Sequence, residues 1–101
     1  PSGQNIYPEE IESQVNNMPY VLESIVIEKG DTLFLLVHPD IEATDEDNME
    51  EADIQARMEQ NIKELNKQLP RFMRISDFKI YPEEFEKTPT RKIKRYLYTT
   101  Q

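Results

Sequence analysis

Five of the nine residues in segment 87–95 are cationic (Lys87, Arg91, Lys92, Lys94 and Arg95), with Glu86 just ahead of them. In a chain whose formal charge is −8, such a run makes a local attractive site for phosphate or carboxylate against a repulsive background. Thr88 and Thr90 add hydroxyls, and Pro89 between them restricts the loop, so less entropy is lost when it orders around a ligand. Lysine is a compact charge on a flexible stem, able to reach a carboxylate and a phosphate that react together, whereas arginine holds a more rigid geometry. A phosphate-containing partner is the natural expectation. The plainer reading is a solvated basic tail that aids solubility or pairs with acidic residues elsewhere, and spacing alone does not decide between the two.

Other chemistry is thinner. His38 is the sole histidine, with no Ser or Cys on a defined elbow near it, and is expected to be a surface residue at a strand edge. Residues 40–53 hold eight acids in fourteen positions, but 45–49 lack the alternating oxygen ligands and central glycine of a calcium loop, so a solvated loop and helix start is expected. No metal ligand is assigned. There is no cysteine, which excludes disulfides, thiolate catalysis and cysteine-held zinc or iron–sulfur centres. Gly3 and Gly30 are the two glycines, too few for a phosphate cradle, so ATP binding by this chain alone is not expected. Acidic balance, with a sequence pI near 4.6, opposes a nucleic-acid partner, and Phe34 and Phe78 sit in apolar runs that fit a core better than a stacking platform.

The elements that must position these residues follow from pattern. At 101 residues the chain is one small domain. Pro8 with Glu9 and Glu10 predicts a first helical turn, with Ile11 and Val15 on one face. Residues 21–28 and 32–38 are rich in β-branched and large apolar side chains and are separated by Lys29, Gly30 and Asp31, which predicts a hairpin at the centre of a sheet. Asn48 and Glu51 fit a capping box ahead of a helix whose Ile54, Met58, Ile62, Leu65 and Leu69 form one stripe, ended by Pro70. Residues 75–81 form a further strand with Phe78 and Ile80 on one face and Lys79 and Tyr81 on the other. Ile93 and Leu97 are expected to anchor a last helical turn that aims Lys92, Arg95 and Tyr96 outward. The expected fold is a small two-layer α+β domain, with helices packed on a central β-sheet that includes a hairpin. The densest apolar stretch, 33–37, is far short of the roughly 20 residues that cross a bilayer, and no leader opens the chain, so a soluble piece of something longer is expected.

Asn5-Ile6-Tyr7-Pro8-Glu9-Glu10-Ile11-Glu12 at the front and Thr88-Pro89-Thr90-Arg91-Lys92-Ile93-Lys94-Arg95 at the back resemble the two ends of the small C-terminal domain of adenylate-forming enzymes, particularly long-chain fatty-acid–CoA ligases. The resemblance covers essentially the whole chain. It implies a mobile lid, residues 1–101, working in cis with a large N-terminal domain that supplies the nucleotide and acyl pockets. In such a full-length enzyme ATP, with Mg2+, joins a fatty acid to AMP and releases pyrophosphate. After the small domain rotates, the acyl group passes to coenzyme A. The isolated chain is expected to be inactive, and a cytoplasmic location, at the membrane periphery or away from it, goes with this activity.

By the same resemblance Lys92 matches the lysine that reaches the active site during adenylation. Gly3 matches the glycine segment just beyond the hinge, which turns toward the pantetheine channel, where a residue without Cβ permits close backbone approach. Lys94 and Arg95 are secondary candidates for CoA phosphate or for interdomain contact. Many relatives place glycine before the catalytic lysine, whereas Arg91 stands here, so a left-handed backbone at that point is not expected; the wording Thr88-Pro89-Thr90 is closer to the long-chain type. Two alternatives stay open: another acyl-adenylating enzyme with an amine or carrier-protein acceptor, and a non-enzymatic acidic interaction module with a basic docking tail.

Overall fold

The computed structural model describes residues 6–99. Pro8 opens helix α1 (Pro8–Asn16) at its first position, where the missing N–H costs nothing, and Glu9 and Glu10 meet the positive helix end. Strands β1 (Val21–Lys29) and β2 (Thr32–Pro39) pair antiparallel, with Lys29 opposite Thr32. The turn between them places Gly30 at φ 59°, the left-handed position that a two-residue hairpin reserves for glycine. Helix α2 (Ile41–Glu46) and helix α3 (Glu51–Gln68) then cross over to strand β3 (Ile75–Ile80), which pairs parallel with β2.

The result among the described residues is a small α+β domain: three α-helices on a three-stranded mixed sheet in the order β1-β2-β3. β2 is therefore the central strand and β1 an outer one, a correction to the expectation that both hairpin strands are central. Strand alternation sends two sets of side chains to two cores. Val26, Leu33, Leu35 and Val37 face Ile11 and Val15 of α1 and Met58, Ile62 and Leu65 of α3, so the helix stripe is buried as its spacing predicts, with Ile54 packed at its edge. Phe78 and Ile80 also pack on this side, and Tyr81 on the other.

Ile25, Ile27 and Leu36 face the opposite way and are covered not by a helix but by the strap 82–98, through Phe85 and Tyr98. Tyr81, Phe85 and Tyr98 form an aromatic trio with ring centroids 5.0–5.5 Å apart, two of the three contacts being edge-on. The Tyr98 hydroxyl accepts the Glu86 N–H at 2.8 Å, tying the two ends of the strap together.

Three local expectations are corrected. The stretch 40–53 contains the expected helix start at Glu51 and a short loop at 47–50, but its first half is a helix where loop is expected: Asp40 caps α2 by accepting the Ala43 N–H, and Asn48, at φ 55°, ends that helix, a left-handed role to which asparagine is suited. Asn48 therefore does not start α3, where the Asp53 carboxylate instead accepts the Glu50 N–H at 2.9 Å. His38 is buried, its Nδ1 2.9 Å from the Tyr81 carbonyl, because β3 and the chain that follows it cover the end of β2. Among the described residues no helix is long and apolar enough to cross a membrane.

Candidate functional site

The basic run forms a small hairpin on the strap. Lys87 and Ile93 bridge antiparallel, the Thr88 N–H donates to the Lys92 carbonyl at 2.8 Å, and the Lys94 N–H donates to the Glu86 carbonyl at 2.8 Å. Three residues, Pro89, Thr90 and Arg91, make the tip. The Arg91 N–H donates to the Thr88 carbonyl at 2.8 Å, closing a turn with Pro89 at the position where its fixed φ is an asset. A three-residue hairpin loop of this kind needs a left-handed residue at its end, and Arg91 takes it at φ 67°. This overturns the expectation that Arg91 avoids that conformation: the loop length demands it, and residue type yields. Thr88 Oγ1 accepts the Lys92 N–H at 3.2 Å and lies 3.0 Å from the Thr90 hydroxyl, so both threonines brace the tip.

The five cations divide by partner. Lys87 Nζ lies 2.8 Å from Glu23 Oε1 and also bonds the Phe85 carbonyl; its hydrogen bond to Glu23 holds its pKa above the ordinary lysine value, against the pull of burial. Lys94 Nζ lies 3.5 Å from Glu86. Arg95 makes a two-pronged pair with Glu12, Nη1 donating to Oε2 at 2.7 Å and Nη2 to Oε1, with Glu9 further off at 3.9 Å. The Glu12 hydrogen bond raises the Arg95 pKa, again against burial. Arg91 and Lys92 are exposed, and neither side chain makes an ion pair or hydrogen bond among the described residues. Lys92 thus presents a solvated ammonium from a braced tip, with Arg91 exposed beside it, while Lys87, Lys94 and Arg95 are held by carboxylates.

The end of the strap departs from the expected helical turn. Arg95–Leu97 is a single tight 3-10 turn, Ile93 belongs to the hairpin bridge, and Tyr98 rather than Leu97 is the buried anchor. Arg95 consequently points to α1 and not outward. Gly3 lies outside the described residues. The residues that sequence reasoning missed are Glu12 and Glu23, both buried, although each carried a signal: Glu23 shares its strand face with Ile25 and Ile27, and Glu12 lies between Ile11 and Val15 on α1. Among the described residues no group of three or more acids or histidines is placed to hold a metal ion.

The family model described as the AMP-binding enzyme C-terminal domain matches residues 1–101. Among solved structures, the chain is similar to a Brucella canis acyl-CoA synthetase (TM-score 0.71, 25% identity, covering 97% of this chain and 17% of that one). It is similar to apo MatB from Rhodopseudomonas palustris (TM-score 0.66, 27% identity, covering 94% and 18%). The adenylation domain of a carboxylate reductase from Mycobacterium chelonae shares the fold (TM-score 0.76, 17% identity, covering 91% and 16%). No curated protein matches the chain. The chain spans 16% to 18% of the length of these three structures. With its sheet, strap and basic hairpin in place, and with the family model matched from end to end, the chain belongs to the AMP-binding enzyme C-terminal domain family, the small domain of the adenylate-forming enzymes.

Proposed function

We propose that this domain is the mobile lid of an ATP-dependent long-chain fatty-acid–CoA ligase, acting in cis with a large N-terminal adenylation domain. The observation that carries the reading is the Lys92 ammonium, exposed and without an intramolecular partner among the described residues, at the tip of a hairpin braced by Pro89, Thr88 and Thr90. Family membership and the likeness to a Brucella canis acyl-CoA synthetase support it. In the first step a carboxylate oxygen of the fatty acid attacks the α-phosphorus of ATP; the acyl–phosphate bond forms, the bond to the β-phosphate oxygen breaks, and pyrophosphate leaves. Lys92 is the catalytic residue on this chain. Its charge acts where negative charge spreads between carboxylate and α-phosphate, an effect of about 2.7–4 kcal/mol by analogy with other preorganised donors.

In the second step the lid rotates, Lys92 withdraws, and the thiolate of coenzyme A displaces AMP from the acyl carbonyl. Gly3 would line the pantetheine path, and Lys94 is the better placed of the two secondary cations for a CoA phosphate, because its 3.5 Å contact with an exposed Glu86 is weaker than the Arg95 pair. Mg2+ bound with ATP in the full-length enzyme would offset phosphate charge, and no ligand for it is assigned to this chain. The full-length protein, assayed as purified, is expected to release pyrophosphate only when given a fatty acid and then to consume CoA. Adenylation with no CoA consumption would move the assignment to an amine or carrier-protein acceptor. No pyrophosphate release with any carboxylic acid would defeat the enzymatic reading.

A further inference from the structure

The hairpin that presents Lys92 has one bridged pair and two flanking backbone hydrogen bonds, and a ribbon that small has no stability of its own. Phe85 and Tyr98 anchor its base on the sheet, and a pair of buried carboxylates, one on each side, adds polar ties to the domain. On the incoming side, Glu23 of β1, 8% exposed, accepts the Phe85 N–H through Oε2 at 2.8 Å and binds Lys87 through Oε1. On the outgoing side, Glu12 of α1, 5% exposed, takes both prongs of the Arg95 guanidinium while Oε2 also accepts the Val26 N–H at 2.7 Å. Lys87 stands five residues before Lys92 and Arg95 three after it.

Stability is a poor reason for two such pairs. A buried ion pair is often matched or bettered by apolar side chains of the same volume, since desolvation offsets most of the attraction. What ion pairs with shared backbone contacts do supply is one register and one orientation, because each oxygen accepts from donors fixed on different elements. Glu23 sets the strap against β1; Glu12 sets it against α1 and the outer edge of β1 together. The hairpin tip between them has its position determined from both ends. A reaction that needs an ammonium at one point beside a developing charge is sensitive to displacements of about 1 Å, which can lower a rate on the order of 100-fold.

We infer that Glu12 and Glu23 are positioning residues for adenylation, holding the Lys87 and Arg95 ends of the hairpin so that Lys92 is delivered at a fixed place on the lid. This rests on the reading of Lys92 given above and adds to it the machinery that places the ammonium. Neither carboxylate touches substrate. Their effect runs through Lys92, so it belongs to the adenylation half-reaction, whereas thioester formation, after Lys92 has withdrawn, does not draw on that placement.

The test is a set of cycles in the full-length protein. Glu23→Gln and Glu12→Gln, each isosteric, are made alone and combined with Lys92→Ala; adenylation is followed by pyrophosphate release, and thioester formation by CoA consumption from supplied acyl-adenylate. Each single variant is expected to lower the adenylation kcat about tenfold or more, with KM for ATP and fatty acid moved much less and thioester formation unchanged. In the Lys92→Ala background the same changes should have no further effect. Multiplicative losses with Lys92→Ala, or equal losses in both half-reactions, overturn the positioning role while leaving Lys92 in place. Full adenylation by Lys92→Ala alone would instead remove the underlying reading, and the positioning role with it. Should Glu12→Gln fail to fold, Arg95→Lys keeps the charge but loses the two-pronged geometry, and it should show the same split.

Discussion

Arg95 and Glu12, 83 residues apart in sequence, meet as a two-pronged pair with Nη1 of the one 2.7 Å from Oε2 of the other. The same carboxylate oxygen accepts the Val26 N–H, so one acid joins α1, the outer strand and the tail. Removing the guanidinium leaves that acid buried beside a single N–H. Arg95→Ala should therefore destabilise the domain by about 3 kcal/mol, the low end for a broken buried pair because the Arg95 side chain is 33% exposed. Glu12→Gln, which keeps an acceptor for Val26, should cost less. Denaturant titration of the two variants checks the order.

Lys87 has a pKa raised by Glu23, so the unfolded chain gives up this proton first as pH climbs. The pair's contribution is thus complete below the ordinary lysine value of about 10.4 and is lost as pH rises through the raised one. The stability gap between the wild type and Lys87→Met should be flat from about pH 7 to about pH 9 and should narrow above about pH 10.4. A gap that already closes near neutrality would contradict the assignment of Lys87 to Glu23.

Arg91 occupies a left-handed position, which costs an L-residue with a Cβ roughly 1–2 kcal/mol. Arg91→Gly should leave the domain as stable or more so, with the hairpin intact, whereas Arg91→Val should destabilise it by about 1 kcal/mol or more, since a branched side chain fits that backbone worst. Thermal melts of the two variants should fall on opposite sides of the wild type or nearly so; the reverse order would mean that the tip has another geometry.

Ile62 lies in the helix stripe against the sheet and is 9% exposed. Ile62→Ala should cost about 2–5 kcal/mol, measured by equilibrium denaturation. An unchanged midpoint would place the stripe on solvent.

How much was legible in the sequence divides along the same lines. The α3 stripe repeats at a helical spacing, and the β1–β2 hairpin is marked by β-branched, apolar strands on either side of the Gly30 turn, so both can be read locally. Residues 82–98 have no period. Their place is set by contacts between distant residues, such as Phe85 and Tyr98 on Ile25 and Ile27, which no local window contains. Likewise, the burial of Glu12 and Glu23 has a local signal, but their partners, at 95, 85 and 87, do not. The left-handed backbone at Arg91 follows from the three-residue length of its loop, which overrides residue preference. Asparagine suits the end of one helix as well as the start of the next, so residue type alone does not say which of the two Asn48 serves.

On the function proposed for Lys92, a single ammonium carried on the small domain acts in one half-reaction. The most direct measurement is the pair of half-reaction rates of Lys92→Ala in the full-length enzyme, each at saturating substrate. A loss of about 100-fold or more in acyl-adenylate formation, with thioester formation from supplied acyl-adenylate within about twofold of wild type, is the predicted result. Acyl-adenylate formed at the wild-type rate, or both half-reactions falling together, would contradict it.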